Sequence, residues 1–147
     1  MSDPKPKRNL QPDPAATKAK WPYFGRAQKL IVFAGVGIWL GLAMPWFIFR
    51  PLGITRYASP LAASWVLWAG LMTIAGAIAR WRLLAVLSAV GGAGTAFVFA
   101  FWQMLRVFQV CGFDVRLRCV PGPGVFAVQA AAAFALYQAY RMFRTAR

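Results

Sequence analysis

The sequence predicts an all-α membrane protein: a four-helix transmembrane bundle with both termini cytoplasmic and one cysteine-bearing extracytoplasmic loop. Three observations carry this. Apolar residues make up 60% of the 147 and mean hydropathy is positive, whereas soluble domains are about 45–50% apolar. Four long stretches, 30–49, 61–79, 83–105 and 123–140, contain no Asp, Glu, Lys or Arg, and roughly 20 such residues form a helix that crosses ~30 Å of hydrocarbon. Basic residues are also distributed unevenly. The N-terminal tail, the connection at Arg80 and Arg82, and the C-terminus share one side of a four-pass chain and hold 12 of the 17. The positive-inside rule makes that side cytoplasmic.

Residues 1–29 are expected to be a disordered basic tail. Prolines at 4, 6, 12, 14 and 22 interrupt a segment too poor in apolar residues to bury a core. All five lysines lie here. Next to a helix entering the membrane, Lys18, Lys20, Arg26 and Lys29 are the expected contacts for anionic lipid, at about 1 kcal/mol per charge near the surface. The charge needs no nucleic acid, because the run is broken by prolines and has no interleaved aromatics before Trp21.

The first helix, 30–49, is followed by Arg50-Pro51 rather than a small-residue cleavage site, so it reads as retained rather than as a signal peptide. Pro45 would kink it or mark its outer rim. Its Gly37 and Gly41 form GxxxG, a spacing that lets helices approach closely, within the bundle or on a partner. The second helix, 61–79, begins beside Pro60. The third, 83–105, pairs Ser88 with Gly92 and Gly91 with Thr95 at the same small-residue spacing. The fourth, 123–140, follows the breakers 121–124 and carries four consecutive alanines from Ala130. Trp46, Trp65, Trp68 and Trp102 would mark the outer interface, and Trp21, Tyr23, Phe24, Trp81, Tyr137 and Tyr140 the inner one. Among the few polar residues in the spans, Gln129 is expected to hydrogen-bond to another helix. Gln103, Arg106 and Gln109 recur every three residues and would form one polar stripe on an outward extension of the third helix, as snorkelling side chains or as a headgroup or partner contact.

The chain's two cysteines, Cys111 and Cys119, fall in the third connection, on the side where disulfides form and persist. A structural disulfide closing this short loop is the favoured reading, worth about 2–3 kcal/mol. Two free thiols and a redox pair are the alternatives. A closed zinc site needs four N or S ligands, and the chain offers two cysteines and no histidine. Within the loop, Val115-Arg116-Leu117-Arg118 alternates with a strand-like period of two. A short hairpin arm would set Phe113, Val115 and Leu117 on one face and Arg116 and Arg118 on the other, as a plain loop or a docking surface, with Asp114 expected to pair locally with Arg106, Arg116 or Arg118.

Absences narrow the function further. No histidine or glutamate occurs in the chain, and no acidic residue lies between Asp13 and Asp114. Proton relays and cation-coupled carriers keep such groups inside the membrane. Haem, iron and zinc chemistry and general acid–base catalysis lose their usual residues, so no enzyme activity and no cofactor or metal is expected.

The layout resembles quinone-linked disulfide-generating membrane proteins, which also have four helices and a cysteine pair in the outer loop between the third and fourth. That family also needs CxxC in the first outer loop, and "RPLGITRYASP" has no cysteine. The chain is similar in size to small multidrug exporters but lacks their membrane-embedded glutamate. Through "MPWF", "RWRLLAVLSAVGGAG" and "PGPGVFAVQAAAAFALYQAYRMFR" it resembles in composition the small Ala-, Trp- and Arg-rich four-pass proteins of GC-rich bacteria, particularly actinobacteria.

The function expected from these features is a non-catalytic accessory or assembly subunit of a larger bacterial inner-membrane complex, a lipid or solute transporter or a respiratory complex. Its partners would be membrane lipids and other integral subunits, with homo-oligomerisation left open. An autonomous carrier of a lipid or apolar molecule and a thiol–disulfide redox protein are the alternatives.

Overall fold

In the computed structural model, residues 25–50, 52–79, 82–111 and 119–144 are described. They form α1 (Arg26–Ala43), β1 (Phe47–Phe49), β2 (Ile54–Arg56), α2 (Pro60–Ile78), α3 (Arg82–Cys111), β3 (Cys119–Pro121) and α4 (Pro123–Arg144). Arg26–Ala43, Pro60–Ile78 and Leu83–Gln109 are long and apolar enough to cross a membrane. The fourth helix is long enough at 22 residues, about 33 Å, but Gln129, Gln138 and its two tyrosines leave it less apolar than the other three.

Local chemistry fixes the helix starts. Gly25 N–H donates to the Gln28 side-chain oxygen at 2.9 Å, closing the first turn of α1. Ser59 caps α2, its hydroxyl accepting from Ala62 N–H at 3.4 Å, and Pro60 takes the first helical position, where a missing N–H does no harm. Pro123 does the same for α4. Arg141 and Arg144 lie in the last turn of α4, where positive charge complements the helix dipole.

Two helix ends differ from expectation. α1 stops at Ala43 rather than Phe49, because Pro45 cannot continue the helix and the three apolar residues after Trp46 pair as a strand instead. α3 runs on to Cys111 rather than stopping at 105. At 30 residues it is about 45 Å long, more than the ~30 Å thickness of a hydrocarbon layer.

The helices pack in a ring. α1 lies against α2 and α4, and α3 against the same two. The interior is built from small residues: Ala93, Ala96, Ala100, Ala132, Ala135 and Ala139 are all 0% exposed. Trp46, Ile31 and Ile38 are the largest side chains buried with them, while most large apolar side chains face outward, among them Phe33, Leu40, Trp68, Leu83, Leu87 and Val98. This is the reverse of a water-soluble bundle, whose stability depends on burying those larger side chains. An apolar exterior around an alanine core suits a hydrocarbon solvent, in which helices associate by close packing rather than by the hydrophobic effect.

Glycine supplies the closest approaches. A Cβ on Gly92 would lie 2.5 Å from Ala69 O and 2.7 Å from Thr73 N, so α2 and α3 meet backbone to backbone there. Gly41 faces Val128 and Ala127, and Gly37 faces Ala131. Both glycines of the GxxxG motif, considered above as partner contacts, are therefore occupied by α4 of the same chain.

Among the described residues, Thr73 finds an internal partner and Gln129 does not. Thr73 Oγ1 donates to Ala69 O at 2.8 Å, the back-bond to the preceding turn that a helical hydroxyl can make. Gln129, expected to bond across to another helix, leaves its Nε2 buried without a partner. The more deeply buried amides are Gln103 and Gln138, at 6% and 4% exposure.

Neighbouring glycines test the packing. Gly92→Ala forces α2 and α3 apart and should cost about 1–3 kcal/mol. Gly91→Ala should be neutral or slightly stabilising, because nothing lies within 4 Å of its Cβ position and alanine favours helix by up to ~1 kcal/mol. Thermal unfolding of both variants in one detergent reads the difference, and equal midpoints would disprove the backbone contact.

Candidate functional site: the sheet-capped end

At the end of the bundle away from the start of α1 and the end of α4, the first and third connections join in a three-stranded sheet of order β2-β1-β3. Both pairings are antiparallel, with Phe47 opposite Arg56 and Pro121, and Phe49 opposite Ile54 and Cys119. Aromatic and β-branched residues suit such strands. Leu52 N–H donates to Phe49 O at 3.3 Å within the turn, and Gly53 takes φ +61°, a conformation favourable to glycine.

Trp46 anchors the cap. It is 0% exposed, and its indole N–H donates to Gly41 O at 3.1 Å, using a carbonyl in the last turn of α1. Its backbone N–H donates to Arg56 O at 2.8 Å and its carbonyl accepts from Gly122 N–H at 2.7 Å. The sequence expectation placed Trp46 in an outer aromatic belt; instead it is a buried plug holding α1, β2 and the start of α4 together. Trp65, Trp68 and Trp102 are exposed, and Trp65 stacks on Phe99 across the α2–α3 seam at 5.5 Å between ring centroids.

Beneath the sheet lies a cavity of about 600 Å³, inside the ~300–1,000 Å³ range of ligand pockets. Phe47 and Phe49 of β1, the segment Thr55–Pro60, and Gln103, Arg106 and Val107 of α3 line it, with Cys119 at its edge. Gln103 Nε2 donates to Ser59 Oγ at 3.5 Å, a long contact linking α3 to the cap of α2. Gln103 and Arg106, two members of the three-residue stripe expected on α3, thus share one wall; Gln109 is exposed and lines no part of it. The sequence reading missed the opposite wall. Its signal was "ITRYAS", a polar segment with an arginine and no acid between two apolar helices.

Cys119 is disulfide-bonded. Phe113, Asp114, Arg116 and Arg118, with the hairpin arm expected there, lie outside the described residues, as do Lys18, Lys20 and the inner-interface aromatics Trp21, Tyr23, Phe24 and Trp81. Arg26 and Lys29 sit exposed in the first turn of α1, at the opposite end from the cap. Tyr137 and Tyr140 are exposed near that end, with the Arg141 guanidinium 6.0 Å from the Tyr137 ring centre. Among the described residues no group of His, Cys, Asp or Glu could hold a metal ion.

The fold thus defines a mostly helical protein with three helices able to cross a membrane and a small sheet closing one end. No family model, no curated protein and no solved structure matches the chain.

Trp46→Ala should cost about 3–5 kcal/mol and open the cap to proteolysis between residues 46 and 58, whereas Trp46→Phe should retain most of the packing and lose only the indole hydrogen bond. Denaturation in detergent with limited proteolysis checks both; a stable, protease-resistant Trp46→Ala variant would show that the cap does not depend on this side chain.

Proposed function

We propose that the chain is a non-catalytic accessory or assembly subunit of a larger bacterial inner-membrane complex. It would cross the membrane four times with both termini cytoplasmic and the sheet-capped end outside. The observation that carries this is the interior, which alanines fill at 0% exposure and in which glycines bring backbones into contact. Among the described residues no Asp, Glu or His lies in that interior, which favours a role for the surface.

The fourth crossing rests on packing. Val125, Val128, Ala132, Ala135 and Ala139 of α4 are all 0% exposed, and Gly41 and Gly37 of α1 face Val128 and Ala131 in turn. A helix lying along α1 in this way occupies the same depth of the bilayer. Its glutamines are then borne within protein rather than lipid, which explains why its sequence is less apolar.

The disulfide of Cys119 is proposed to join Cys111, the other cysteine of the chain, and to staple the third connection. A redox role has less support, since the residue opposite Cys119 in the sheet is Phe49 of the first connection, a connection with no cysteine. Cys119→Ser should lower stability by about 2–3 kcal/mol while leaving association with the host complex intact at permissive temperature. Loss of function at unchanged stability would favour redox chemistry.

A host that transports a lipid or solute, or a respiratory complex, fits this role. Gentle extraction of native membranes through a C-terminal tag should recover stoichiometric integral-membrane partners. The accessory role is wrong if the protein elutes alone and its deletion leaves every such complex intact. The cavity under the cap favours the second reading, an autonomous carrier of a lipid or apolar molecule; flux across vesicles containing only this protein would establish it.

A further inference from the structure

We infer that the cavity under the cap is a binding site for an anionic amphiphile, with a phosphate-type headgroup held by Arg56 and Arg106 and an apolar tail lying on the α2–α3 seam. The inference is independent of the accessory role, because it concerns only what the cavity holds.

Charge is the first argument. Arg56 and Arg106 line the cavity from opposite elements, β2 and α3, and neither has an ion-pair partner among the described residues. No carboxylate occurs between residues 14 and 113, so neither the first connection nor α3 supplies a counter-charge. Two guanidinium groups around one cavity favour an anion, and their planar forks of N–H donors match phosphate oxygens.

Hydrogen bonding adds to it. Gln103 is nine-tenths buried against the cavity, and its contact to Ser59 is long at 3.5 Å, leaving amide capacity for a ligand. The Ser59 hydroxyl accepts from Ala62 N–H and Gln103, and its own proton remains to donate. Thr55 and Tyr57 contribute further hydroxyl-bearing side chains to the lining.

Position supplies the tail. Phe47 and Phe49 give the cavity aromatic walls. Along the same seam, Trp65 stacks on Phe99, and Leu61 and Trp102 are 69% and 65% exposed. A cavity with mostly apolar walls and two arginines, whose lining residues Pro60 and Gln103 adjoin the exposed Leu61 and Trp102, fits a molecule that is charged at one end and hydrocarbon at the other.

The test uses the full-length protein in a neutral detergent and measures binding of three probes: dioctanoyl phosphatidylglycerol, dioctanoyl phosphatidylcholine and inorganic phosphate. The decisive quantity is the change between wild type and Arg56→Gln/Arg106→Gln, because the basic N-terminal tail also attracts anionic lipid and is the same in both proteins. Both arginines are exposed and have no ion-pair partner among the described residues, so the double variant should keep the wild-type unfolding midpoint. Phosphatidylglycerol affinity should fall at least about tenfold in the variant, and phosphatidylcholine should bind weakly and equally to both. Gln103→Leu should reduce phosphatidylglycerol affinity less and in the same direction. Inorganic phosphate competing at the same affinity as the lipid would support the anion site and assign it to aqueous anions. Equal phosphatidylglycerol affinity in wild type and double variant would overturn the proposal.

Discussion

In hydrocarbon, helices gain nothing by hiding large apolar side chains from one another, because the solvent is equally apolar, so they are held together by how closely their backbones can approach. In this protein that approach comes from alanine and glycine at inward positions, most clearly where Gly92 meets the α2 backbone and Gly41 meets α4. The rest of the structure follows from it. With the interior filled by small residues, Phe, Leu and Trp are displaced to the perimeter, and hydroxyls such as Thr73 bond within their own helix. A chain packed this tightly has little freedom to rearrange inside, since closely packed interiors resist continuous deformation.

Rigidity in the bundle passes to the cap through Trp46. Its indole uses a carbonyl from the last turn of α1, one of the groups a helix end leaves without an intrahelical partner, and its backbone bonds to both neighbouring connections. One residue thus satisfies a helix terminus and fixes the register of a sheet whose strands are each only three residues long. Such short strands would not pair stably alone; they do so because their ends are already positioned by packed helices. The cavity lies against this sheet, lined by β1, β2, the entry to α2, and α3.

The four helices were legible in the sequence because stretches without charge have few alternatives. Their ends were less so: Phe47–Phe49 is as apolar as the helix before it, and only the proline at 45 hinted that it belonged to a strand. The paired segments Phe47–Phe49 and Ile54–Arg56, separated by Pro51 and Gly53, carried a hairpin signature that the apolar run concealed. Small-residue spacing showed that helices approach closely, but not which face does so; Gly37 and Gly92 pack inside while Gly91 and Gly94 face open space. Trp46 was misplaced because a tryptophan at the rim reads the same whether it faces lipid or plugs a turn. Gln103 and Arg106 were grouped correctly, since three-residue spacing on a helix is local, whereas Arg56 comes to the same cavity only through the sheet and the fold of the first connection.

The two ends of the bundle therefore have different capacities. The end where α1 starts and α4 stops carries exposed charge on single helices, such as Arg26 and Lys29 on α1, suited to a diffuse and adaptable contact with an anionic surface. The capped end combines side chains from β1, β2, α2 and α3 around one cavity, with relative positions set by the sheet and by Trp46. Because the charges there come from separate elements, a ligand spanning Arg56 and Arg106 would join the first connection to α3, and because the interior beneath is already close-packed, its binding energy would not be spent on reorganising the bundle. Discrimination between ligands in such a site would come from the fixed placement of its donors rather than from movement, and any partner docking on the cap would meet a surface formed jointly by the two connections.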